Sequence, residues 1–163
     1  AWCVISYEQF FCKQFIDSNE RFSSSLRGIP VVGDFNGDGF DDLAAVVEPA
    51  TVASRVYVFP GSPAGLLAKS AADADTIIDE HQANMNICSV VGIGHTTADN
   101  YDDLLVGAHK YDDGPRVDAG AAFIFYGAAT GITAANTGLA DVTLVGDING
   151  RRFGVSVAGV GDR

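Results

Sequence analysis

Basic residues are scarce. Ten Lys and Arg stand against twenty-one Asp and Glu, a formal charge of −11. A charge of that sign argues against nucleic acid and anionic membrane surfaces as partners and favours cations. Long apolar runs are also missing: no stretch approaches the ~20 residues of a membrane-spanning helix. Cysteine is limited to Cys3, Cys12 and Cys88, with no C-x-x-C pair, so a zinc or thioredoxin-like site is not expected. Cys3 and Cys12 can pair, which leaves the odd cysteine buried or free. There is no N-x-S/T sequon and no G-x-S-x-G elbow around a nucleophilic serine. Ala1 opens the chain without a signal-peptide pattern, which reads as a mature or processed product.

Glycine is abundant. Nineteen glycines separate short Val/Ile/Phe runs, a pattern of tight turns between strands that predicts an all-β protein. At 163 residues the chain is long enough to bury a core. Its most telling stretch runs from Gly33 to Leu43 and reads D-x-N-x-D-G-x-x-D. Oxygen side chains at Asp34, Asn36 and Asp38 can converge on one hard cation. Gly39 allows the sharp turn that follows. The Phe40 carbonyl and the Asp42 carboxylate can complete the shell, and Ca2+ takes 6–8 such oxygens. An EF-hand would need Glu at the twelfth position, where Ala45 stands, and helical flanks. The flanks here, Ile29-Pro30-Val31-Val32 and Leu43 to Val47, read as strands. A solvated Asx-Gly turn is the plainer alternative. Crowded carboxylates favour the cation.

The chain then repeats itself at an offset of 61. Asp42-Leu43 lies over Asp103-Leu104, Asp38 over Asp99, Phe40 over Tyr101 and Asp41 over Asp102. Further downstream, Val56-Tyr57-Val58-Phe59-Pro60-Gly61 matches Ala122-Phe123-Ile124-Phe125-Tyr126-Gly127. A third copy starts at Phe153-Gly154 and reaches Gly161-Asp162. The second unit should hold strands near 87–93, 103–108, 120–126 and 141–146. A four-stranded unit of ~60 residues cannot bury its own faces, whereas radially stacked units can, as in a β-propeller.

These residues resemble FG-GAP repeats, the blades of the integrin α-subunit propeller. Phe153-Gly154 carries the FG pair. Gly107-Ala108 followed by Gly120 to Gly127 looks like the remainder, and the calcium loop sits between the first two strands, as in that family. The resemblance covers residues 25–163 and implies a propeller that has seven blades when closed. It divides the chain into an N-terminal segment, 1–24, and blades at about 25–85, 86–146 and 147–163. The expected fold is thus all-β, a partial propeller of about two and a half blades. So few blades leave either part of a longer propeller or a unit that associates with copies of itself. The second loop is degenerate: His95 replaces the first Asp, Thr97 the Asn and Asn100 the Gly. His95, Thr97, Asp99, Tyr101 and Asp103 make a weaker second metal site.

Other clusters have plain readings. His95, Asp99, His109, Asp112 and Asp113 suggest a metal-hydrolase site, but nothing supplies an activated nucleophile or general base. Tyr111 to Pro115 reads instead as a surface turn, and Ser156 as a small packed residue in a strand. Gly92-Ile93-Gly94 and Gly159-Val160-Gly161 lack the helix that phosphate cradling needs; close backbone approach at inner strands is expected. The aromatics Trp2, Tyr7, Phe10, Phe11 and Phe15 read as core packing.

The function expected is a non-enzymatic, calcium-stabilised module for extracellular or cell-surface recognition or adhesion, with a protein or glycan ligand. Calcium loops of modest affinity suit the extracellular fluid. The alternatives are a sugar-binding propeller lectin and the non-catalytic propeller part of a secreted hydrolase or phospholipase.

Overall fold

A computed structural model describes residues 26–48, 53–68 and 70–160, and side chains from Pro30 onward. The N-terminal aromatics, Cys3 and Cys12 lie outside these residues. Among the described residues eight strands form two antiparallel sheets. The first holds β1 (Leu26–Gly33), β2 (Asp42–Val47), β3 (Arg55–Phe59) and β4 (Thr76–Asp79). The second holds β5 (Ile87–Gly94), β6 (Asp103–Ala108), β7 (Ala121–Phe125) and β8 (Val142–Val145). Each sheet is a meander in chain order, the form that short Gly-rich connections favour. Among the described residues helix is confined to two 3-10 turns, Ala71–Asp73 and Thr137–Leu139. The strands expected in the second unit agree with the observed ones to within one or two residues.

The sheets stack face to face, and the main core fills the seam. On the first sheet Ala44, Val46, Val56, Val58 and Ile78 point into it; on the second, Leu104, Val106, Phe123 and Phe125 do. Alternate residues of the first sheet, Ala45, Val47, Tyr57 and Phe59, form a second buried cluster with Ala68 and Ala71. Strands buried on both faces must be apolar at every position, which is why β2 reads Leu-Ala-Ala-Val-Val without alternation.

The inner strands β1 and β5 run against each other. A Cβ on Gly92 would lie 2.8 Å from the Val32 carbonyl oxygen, and one on Gly159 would lie 2.6 Å from the Gly92 carbonyl oxygen. These glycines therefore serve close backbone approach. Both inner strands are irregular. The β1–β2 register shifts between Arg27 and Val31, and β5 bulges at 87–89 and 92–94. Pro30, which has no amide hydrogen to give to a ladder, falls inside the β1 irregularity.

One expectation needs correction. Ser156 is not in a strand: residues 154–156 form turns and bends, and Ser156 is exposed. Phe153 makes only an isolated bridge to Gly120. An inner strand needs a neighbour for its ladder, and among the described residues this segment has none.

Candidate metal site at the first hairpin

The loop between β1 and β2 is wound on its own side chains. Asp34 Oδ1 accepts the Asp38 amide at 3.0 Å, and Oδ2 accepts the Gly39 amide at 2.9 Å. Asn36 Oδ1 accepts the Asp38 amide at 2.8 Å, and Asp38 Oδ1 accepts the Phe40 amide at 2.9 Å. Gly37 and Gly39 both take left-handed backbone, with φ of 73° and 86°, a conformation glycine adopts without steric cost. Phe35 anchors the loop in the core, where it is fully buried. Asn36, Asp38 and Asp42 also line one end of a cleft of about 650 Å³, whose other walls include Pro60, Asp75 and Thr76.

Asp42 is a strut. It is only 2% exposed. Its Oδ2 accepts the Phe35 amide at 3.1 Å and its Oδ1 the Gly61 amide at 2.8 Å. Burial pushes its pKa above the usual carboxylate range; the two amides oppose that shift, and the charges of Asp38 and Asp34 add to it. A Cβ on Gly61 would run into the Asp41 carbonyl, so only glycine brings its amide this close.

The second blade builds the same strut. Asp103 accepts the Thr96 amide at 2.9 Å and the Gly127 amide at 3.0 Å, and a Cβ on Gly127 would strike the Asp102 carbonyl. The loop above it differs. Asp99 still accepts the Tyr101 amide at 3.1 Å, and the Thr97 side chain and that amide hold its pKa below the usual range. His95 replaces the carboxylate that wound the first loop. No residue from His95 to Asp102 has a positive φ, so the backbone takes another path. The sequence alignment foresaw the matching positions of Asp42 and Asp103, but not their use as struts, nor why a glycine follows β3 and β7.

Among the described residues, no three His, Cys, Asp or Glu side chains are gathered at metal-holding distance. Neither the hydrolase-like set nor the carboxylates of Asp34, Asp38 and Asp42, as their side chains stand, are gathered to that distance. His109 is pushed below the usual imidazole range, mainly by burial. The expected turn is present at residues 113–116, closed by Asp113–Arg116 backbone bonds, whereas Tyr111 packs against the core. A neighbouring cluster that sequence reading overlooked joins His81, Tyr111 and Phe123, with ring centroids 5.6–5.8 Å apart. The His81 Nδ1 lies 2.7 Å from the Thr137 hydroxyl.

Four-stranded antiparallel meanders stacked side by side, with inner strands in contact, define a propeller-type repeat protein. Within that class, the model of the FG-GAP repeat matches residues 28–59, which span β1 to β3 and the whole first loop. The chain carries an FG-GAP repeat there, in line with the FG-GAP and integrin-like propellers that its residues resemble. No curated protein matches the chain. Among the described residues no helix is long and apolar enough to cross a membrane.

Proposed function

We propose that this chain is a recognition module whose first hairpin holds calcium through Asp34, Asn36, Asp38, the Phe40 carbonyl and Asp42. The observation that carries the reading is the oxygen-only donor set wound into one loop. Three successive amides, from Asp38, Gly39 and Phe40, brace Asp34, Asn36 and Asp38. No described ion pair reaches these acids, and their mutual repulsion contributes to the raised pKa of Asp42. A divalent cation relieves that repulsion and ties β1 to β2. Donor type and order fit calcium, and rotation of the exposed Asp38 and half-buried Asp34 and Asn36 side chains closes the shell. The second loop lacks the left-handed turns, and His95 stands where Asp34 supplies a carboxylate, which favours one calcium per chain.

An FG-GAP repeat suggests a recognition or adhesion module, and such repeats occur in extracellular or cell-surface proteins. We place this chain there, with a protein or glycan ligand. The far face of the second sheet, where Leu105, Ile124 and Val142 are half-buried and Leu144 is exposed, suits a further blade or a second copy. Isothermal titration with Ca2+ tests the metal reading: uptake of one ion supports it, and no uptake at millimolar calcium ends it.

A second reading, a sugar-binding propeller, draws on the cleft. Carboxylates at Asp38 and Asp75 beside apolar Pro60 and Ile77 offer the mix of acceptors and apolar wall that a sugar ring uses. A glycan array without hits removes it.

A further inference from the structure

We infer that the second blade's degenerate loop splints the metal loop of the blade before it, with Asp102 as the positioning residue; for its effect on calcium this rests on the reading above. The contact is reciprocal. The Asp102 carboxylate accepts the Asp34 amide at 2.8 Å, and the Asp102 amide donates to the Asp34 carbonyl at 3.0 Å. Asp34 is the first residue of the oxygen series, so its backbone is clamped from both sides. Next to it, the Phe35 carbonyl accepts the Ala128 amide at 3.1 Å, again from the second blade. Two residues further on, the Tyr101 ring occupies the space where a Cβ on Gly37 would stand. Three stations of the first loop, Asp34, Phe35 and Gly37, thus meet residues outside its own hairpin.

The same position in the first loop is Asp41. It is exposed and makes no described side-chain hydrogen bond. Asp102 is only 26% exposed and its other oxygen faces His95 Nε2 at 3.4 Å. The second loop has kept its strut, Asp103, while its outward chemistry points at the neighbour. A loop held in its ligand-bearing shape before the ion arrives loses less conformational freedom on binding, so Asp102 raises calcium affinity without being a ligand.

The test compares Asp102→Ala, Asp102→Asn and Asp41→Ala in the whole chain. Asp102→Ala should weaken calcium binding about tenfold, the worth of one charge-assisted hydrogen bond at a partly exposed site. Asp102→Asn, which keeps an acceptor oxygen without the charge, should stay within about threefold of wild type. Asp41→Ala removes a charge from the metal loop itself and should cost less than Asp102→Ala. Equal losses in Asp102→Ala and Asp102→Asn would mean that charge alone acts, and would overturn the splint. Hydrogen exchange in chelator gives a metal-free readout. The amides of Asp38, Gly39 and Phe40 should exchange several-fold faster in Asp102→Ala while those of β6 and β7 stay protected; unchanged exchange also overturns it. If the metal reading alone is wrong, wild-type protein takes up no calcium while the exchange difference persists.

Discussion

The loops at 34–42 and 95–103 begin at corresponding points of corresponding sheets, yet do different work. Both end on a buried Asp that receives an amide seven residues back and the amide of a glycine after the third strand. Above that shared base, the first loop turns its oxygens on itself, and the second reaches across the seam. A repeat can therefore lose its ion chemistry and keep its architecture, because the strut and the ion cage are separable layers of one hairpin.

The most severe break to this comparison is loss of a strut. Asp103→Ala leaves the Thr96 and Gly127 amides without their acceptor in a buried place and should cost about 2–4 kcal/mol in denaturant unfolding. Asp42→Ala should cost a similar amount in chelator. With calcium present it should cost more, and a calcium-independent cost would mean that Asp42 is a strut only. Next comes removal of the ion itself. Saturation a hundredfold above Kd contributes about 2.7 kcal/mol, so chelator should lower the melting temperature by about 5–10 °C. Asp38→Ala should remove most of that response. A third experiment sharpens the contrast in backbone path. His95→Asp with Thr97→Asn should leave calcium stoichiometry at one. Adding Ala98→Gly and Asn100→Gly, which permit the left-handed turns, should raise it to two by titration calorimetry.

The smallest effect lies away from both loops. Burial holds His81 below its ordinary pKa, so the unfolded chain binds its proton more readily. The stability tied to its neutral form is present above about pH 6.5 and is lost as pH falls from there through the lower folded value. In chelator, melting temperature should therefore drop between pH 7.5 and 5. His81→Gln should make that drop shallower, and an unchanged slope would count against the assignment.

Much of the sheet structure was legible because its signals are local. Strands buried on both faces betray themselves as unbroken apolar runs, and the Asp-Gly clusters mark the hairpin between them. The pairing of Asp42 with Asp103 and of Gly61 with Gly127 was visible as a match. Its meaning was not, since the Gly61 amide meets Asp42 across nineteen residues. Asp102 was further out of reach. Its partner Asp34 lies 68 residues away on another sheet, and no periodicity reports a contact between blades. Ser156 was misplaced for the same reason: its apolar, alternating neighbours read as a strand, but a strand exists only where a second one completes its ladder.

The clamp on Asp34 also has a direction. Each blade built this way offers a side chain to the loop that precedes it, and that loop answers with backbone groups alone. An open row of such blades is held unevenly, and the final loop in the row has no keeper. Closing the row into a ring would return the last hold to the first member, so circularity here distributes rigidity as well as hiding edges.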